Sequence, residues 1–155
     1  MRPLAWPQAL LLALVAMSAC APGAKETPKS GSAMPAAIID PYLNIHDALA
    51  VDSLDGVRQN AGEIATAATA LGAPAMKIDT AAVQLAAADD LEAARDRFGV
   101  LSDAIVTYMK GLGIKAPDGV RTAYCPMVQK PWLQRGDTLA NPYYGKAMPT
   151  CGDFR

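Results

Sequence analysis

Leu91, Ala94, Phe98, Leu101, Ile105, Tyr108 and Leu112 recur at alternating steps of three and four residues, a spacing that lays one apolar seam along an α-helix and fits no strand. Such a seam packs on neighbouring helices at a shallow angle, so this helix requires partners. Gly111 and Gly113 supply its exit, and Pro117 forbids easy continuation. Upstream, Tyr42, Ile45, His46 and Leu49 share one face of a first helix with Pro41 in its first turn. Leu54, Val57, Ala61, Ile64, Ala68 and Leu71 carry the period through a second helix, capped by Asp52 or Ser53 and stopped by Gly72 and Pro74. A third, shorter helix is capped by Asp79 and turns Val83 and Leu85 inward, with Asp89 and Asp90 breaking or re-capping the chain. Short connections make consecutive helices antiparallel neighbours, so the spacing predicts an all-α, up-and-down four-helix bundle.

The first residues read as an export leader. Arg2 precedes an apolar stretch from Leu10 to Met17, too short for the ~20 residues of a membrane span, and Met17-Ser18-Ala19-Cys20 sets small residues before a cysteine. This pattern resembles a bacterial lipobox, which implies cleavage after residue 19 and a lipid on Cys20; Met at its first position departs from the commoner Leu. An ordinary signal peptide cut near Ala19 or Ala21 is the alternative. Residues 20–35, rich in Pro, Gly, Ser and Lys without apolar period, read as a flexible tether. Residues 36–155 then form one domain. The formal net charge of −1, with the charges scattered in sign, offers no field for a phosphate backbone, which disfavours nucleic acid as partner.

Beyond Gly119 the helical period ends, and Pro, Gly, Asn and aromatic residues dominate. Tyr124, Trp132, Tyr143, Tyr144 and Phe154 are too much aromatic surface to leave in water. The tail therefore reads as an ordered, aromatic-rich loop segment folded across the bundle. It holds two sulfur pairs, Cys125 with Met127 and Met148 with Cys151. In an exported chain whose Cys20 is lipidated, the remaining two cysteines form a disulfide by default; closing that segment stabilises the fold by roughly 3.5 kcal/mol in the chain-entropy account. The other reading starts from ligand softness, because thiolates and thioethers select Cu(I) or Ag(I). Cys-x-Met in an extended segment turns both sulfurs to one side, and Met-x-x-Cys does the same on a helical turn. The lone His46 either adds an imidazole to that metal or is a core histidine whose nitrogens meet carbonyls or carboxylates. Zinc is weakly supported without paired Cys-x-x-Cys elements. A cysteine nucleophile has only one histidine to serve as its base.

Tyr-Leu-x-Ile-His-Asp-Ala-Leu at 42–49, Tyr-Cys-Pro-Met at 124–127, Trp-Leu at 132–133 and Asn-Pro-Tyr-Tyr-Gly-Lys-x-Met-x-x-Cys-Gly at 141–152 resemble a bacterial domain family of unknown function. That family occurs alone in exported proteins and lipoproteins, and fused to periplasmic adaptor subunits of copper/silver efflux systems. The resemblance spans about residues 36–153, and implies an association with copper or silver handling at His46, Cys125, Met127, Met148 and Cys151. The chain departs from it at Gln129-Lys130-Pro131, where the family has a Gly-Ala-Tyr-like approach to the tryptophan.

These readings converge on an exported lipoprotein at the periplasmic face of a bacterial membrane, binding Cu(I) or Ag(I) for sequestration or delivery to an efflux adaptor and catalysing no reaction. The alternative is a periplasmic interaction module closed by a Cys125–Cys151 disulfide, without metal.

Overall fold

A computed structural model of the chain describes residues 28–155. The leader, the lipidation site Cys20 and the first half of the tether fall on residues 1–27, outside the described residues. Four helices are present: α1 (Ala36–Ala50), α2 (Val57–Leu71), α3 (Met76–Ala86) and α4 (Leu91–Leu112). Each packs on the next in sequence. The α4 seam is buried from Ala94 to Tyr108. Asp90 caps this helix by accepting from the Ala93 amide at 2.8 Å, and Gly113 ends it in a left-handed conformation, φ 63°. None of the helices among the described residues is long and apolar enough to cross a membrane.

Details upstream differ from the sequence expectation. α1 starts at Ala36, so Pro41 lies inside it rather than in its first turn. Ser32 and Met34 bond to Lys115, and Met34 is buried, so contacts with the domain begin before α1. Gly56, not Asp52 or Ser53, precedes α2. Asp79 lies within the first turn of α3 instead of capping it, and Val83 is 57% exposed while Leu85 is buried. The register of the short alanine-rich α3 was thus misread by its ambiguous apolar period.

The larger correction concerns the fold class. The chain is mostly helical but not all-α, because the tail forms a three-stranded antiparallel sheet of order β2-β1-β3 from β1 (Val120–Cys125), β2 (Lys130–Arg135) and β3 (Asp153–Phe154). β1 alternates, with Ala123 and Cys125 buried and Thr122 and Tyr124 half-buried on the other face. β2 is an edge strand, and an edge tolerates Pro131, which has no amide hydrogen to give a ladder. Trp132, Leu133 and Gln134 are consecutive and all buried, since β2 is covered by β1 along one edge and packs on α4 and α1.

The tail does fold back on the helices. Tyr42 of α1 stacks on Phe98 of α4 with ring centroids 4.9 Å apart, and its hydroxyl accepts from the Leu133 amide of β2 at 3.1 Å. The same oxygen lies 2.7 Å from Ser102 Oγ, a hydrogen bond in which either hydroxyl can donate. One phenol therefore joins α1, α4 and the sheet. Full burial of a residue such as Phe98 or Leu101 contributes about 1.5–3 kcal/mol, which makes this aromatic layer the strongest apolar element beside the small alanines of α2 and α3.

Candidate functional site

Cys125 is the last residue of β1 and is fully buried. The pairing of Ala123 with Phe154 and Tyr124 with Asp153 returns the end of the chain along β1, which carries Cys151 to its side. The Cys151 thiol is half-buried; burial first, then the neighbouring Cys125 and the Asp153 charge, push its pKa up. Both cysteines are free thiols. Gly152 makes this return possible: its φ is +140°, and a Cβ there would stand 2.6 Å from Trp132 Cη2 and 2.8 Å from the Tyr124 carbonyl oxygen.

Asn141 holds the loop that presents Cys151. It is fully buried, its Oδ1 accepts from the amides of Tyr143 at 2.8 Å and Tyr144 at 3.2 Å, and its Nδ2 donates to the Cys151 carbonyl at 2.6 Å. The first two bonds form a side-chain turn of the kind asparagine favours, and the third fixes the thiol-bearing residue. Gln134 does the same one layer away: its Oε1 accepts from Trp132 Nε1 at 2.8 Å and the Ala140 amide at 3.1 Å, while its Nε2 donates to the Thr138 carbonyl at 2.7 Å. Tyr143 donates to the Pro131 carbonyl at 2.5 Å and meets Trp132 edge-on, centroids 6.0 Å apart. Burial pushes the Tyr143 phenol pKa well up, with Tyr42, Asp103 and Cys125 adding to it.

The remaining sulfur and imidazole positions are less convergent. β1 ends at Cys125, so Met127 is not in extended backbone; it stands in the Pro126–Gln129 turn, 65% exposed. Met148 shares a turn with Cys151, whose amide donates to the Met148 carbonyl at 3.3 Å, and its side chain is 37% exposed. His46 is buried. Its Nδ1 lies 2.8 Å from Asp47 Oδ1 and its Nε2 2.9 Å from the Ala140 carbonyl oxygen. The carbonyl only accepts, so Nε2 carries hydrogen, and neither ring nitrogen is open to a metal while these bonds stand. Among the described residues no group of three or more His, Cys, Asp or Glu side chains is placed to hold a metal ion.

A family model described as Protein of unknown function (DUF3347) matches residues 38–116. The chain belongs to this family. The DUF3347 match covers most of α1 and all of α2, α3 and α4, includes His46, and ends before β1, so the cysteines lie outside the matched segment. Neither the curated proteins nor the solved structures gave a match.

Several roles that build the site of this DUF3347 chain are not legible from spacing: Asn141 as a hub, Gln134 as its counterpart, Tyr42 as a joint, and the pairing of Arg95 with Asp52. Asn141 carried a usable signal, because Asn-Pro followed by aromatic residues and Gly is turn chemistry. Arg95 and Asp52 carried none, being ordinary charges on helical and loop positions until the tail is folded onto them.

Proposed function

We propose that this protein is exported, tethered to a membrane through a lipid on Cys20, and binds Cu(I) or Ag(I) between the sulfurs of Cys125 and Cys151. The single observation that carries the metal reading is that the β1–β3 pairing sets two free thiols, one buried and one half-buried, beside one another. Soft thiolates suit a monovalent soft ion, which accepts low coordination number. Met148, on the turn of Cys151, is the nearest addition to the set in the chain; Met127 and His46 would join only after the hairpin tip moved or the bonds to Asp47 and Ala140 broke. The raised pKa of Cys151 means that the metal displaces a proton, so affinity rises with pH. The role is sequestration or hand-over to a periplasmic efflux adaptor, with no reaction catalysed. The test is anaerobic Cu(I) titration of the reduced protein. Wild type should bind with an affinity that the Cys125→Ser/Cys151→Ser double variant has lost; equal affinities overturn the reading.

The same juxtaposition favours a second reading, a disulfide-closed interaction module, because two thiols held together in an oxidising compartment are set to oxidise. Thiol counting on unreduced, denatured protein from the periplasm separates the two: two free thiols beyond Cys20 exclude the module, and none excludes a resident thiolate site. Mass spectrometry of membrane-extracted protein reads the lipid on Cys20 directly.

A further inference from the structure

A cavity of about 870 Å³ opens between the C-terminal half of α4 and the face of β1 that bears Thr122 and Tyr124. It is distinct from the thiol pair, since Cys125 is on the buried, opposite face of the strand. Beside Asp103, six polar side chains line it: Thr107, Lys110, Thr122, Tyr124, Gln129 and Arg155. None of the six makes a side-chain hydrogen bond or ion pair with another described residue. This contrasts with the loop around Asn141 and Gln134, where the polar side chains are committed to the fold.

The cationic side chains of the lining outnumber the acidic one. Asp103 is paired with Lys130, and neither Lys110 nor Arg155 makes an ion pair with a described side chain. The Arg155 guanidinium is held 4.9 Å from the centroid of the Tyr124 ring, and its backbone amide donates to the Thr122 carbonyl at 2.9 Å, so this cation is oriented at the cavity edge before any ligand arrives. Val106, Ile114 and Pro131 supply apolar wall. Gln129 keeps a left-handed backbone, φ 55°, that glycine would take more readily; its amide is the hydrogen-bonding group which that position adds to the cavity. An apolar-walled cleft with a few uncommitted polar groups is the usual form of a small-molecule site, and its size suits one.

The geometry points to a binding site for a small organic anion, a carboxylate or similar headgroup on an apolar or aromatic body, with Lys110 and Arg155 receiving the charge and the α4 wall receiving the body. The proposal is independent of metal binding by the thiols. Its test uses the full chain, reduced, with the aromatic sulfonate 8-anilinonaphthalene-1-sulfonate as fluorescent probe and octanoate as competitor. Saturable one-to-one binding, displaced by octanoate, is the expected result. Lys110→Gln/Arg155→Gln should weaken it about tenfold, the loss of charge-assisted contacts, and Val106→Trp should abolish it by filling the wall. Thr80→Trp, in the adjoining groove between α3 and α4 and outside the cavity lining, should leave it unchanged. Lys110 and Arg155 are exposed, so the charge variant remains informative if Val106→Trp fails to fold. Wild-type affinity in the charge variant, or absence of saturable binding by wild type, overturns the proposal.

Discussion

Arg95 and Asp52 meet at 2.5 Å between a guanidinium nitrogen and a carboxylate oxygen, and the last loop is folded onto that pair. Arg95 Nε donates to the Pro142 carbonyl at 3.0 Å, and its Nη2 also reaches the Leu49 carbonyl at 3.2 Å. The Lys146 amide donates to Asp52 Oδ1 at 3.3 Å. Gly145, φ +52°, lies so close that a Cβ would overlap both side chains. The connection after α1, the start of α4 and the tail are thus tied at one point.

Removing this tie has a readable cost. Arg95→Ala leaves the Leu49 and Pro142 carbonyls without a charged donor, which is expected to destabilise by about 1–3 kcal/mol. The hydrogen bond from Arg95 holds the Asp52 carboxyl below its ordinary 3.8. Its contribution is therefore full above that unfolded-state value and is lost as pH falls through the lower folded value. Urea midpoints measured down the acid limb should fall less steeply in Asp52→Asn than in wild type; parallel slopes would refute the linkage.

Asn141→Ala removes a buried side chain that serves two amides and one carbonyl. A loss of about 2–4 kcal/mol follows from two or three unsatisfied groups. Alkylation of Cys151 should also accelerate, because its backbone anchor is the same Nδ2. A variant with wild-type alkylation kinetics would show that Asn141 does not position the thiol.

Gly152→Ala places a Cβ 2.6 Å from the Trp132 ring and 2.8 Å from a backbone oxygen at a φ of +140°. Either the ring or the β1–β3 pairing must move, at about 2 kcal/mol or more. Tryptophan fluorescence and thermal melting should both report it, whereas Gly119→Ala, with open space around its Cβ, should pay only for its backbone conformation.

At high pH three buried or half-buried groups act together. Burial foremost raises Tyr42 and Tyr143 above their ordinary 10.0 and Cys151 above its ordinary 9.0. The unfolded chain releases these protons first, so stability is full below the unfolded values and declines as pH rises above about 9 toward the folded ones. Tyr42→Phe should flatten this alkaline limb while costing about 1–3 kcal/mol at neutral pH, since the Leu133 amide loses its side-chain acceptor. Denaturation midpoints at several pH values check both effects.

Tyr108 predicts the opposite sign. Its hydroxyl is buried with no hydrogen-bond partner among the described residues, so Tyr108→Phe removes a desolvated group and is expected to be neutral or to stabilise by about 1 kcal/mol. A clear destabilisation in a calorimetric melt would reveal a bound water or other partner at that hydroxyl.

The helices were legible because a seam such as Leu91 to Leu112 leaves one backbone choice, and Asp90 and Gly113 mark its ends chemically. The sheet was not. Pro131 masks β2 in a sequence scan, since only the finished topology shows that β2 is an edge, and β3 is two residues long. Val120 to Cys125 does alternate, but six residues among prolines and glycines gave a weak period. The cysteines were legible as chemistry, while their juxtaposition depends on Gly152 and on β3, both invisible to spacing. Met127 escapes spacing for the same reason: Cys-x-Met sets both sulfurs on one side only in extended backbone, and the chain turns from Pro126 to Gln129. His46 was legible as a residue of the α1 face, but its link to Ala140 required the tail.

The pairing of β3 with β1 also couples two equilibria. β3 is two residues long and holds the segment of Cys151 beside β1, so fraying of Asp153 and Phe154 loosens Cys151, and the reactivity of that thiol becomes a local gauge of whether the strand is docked.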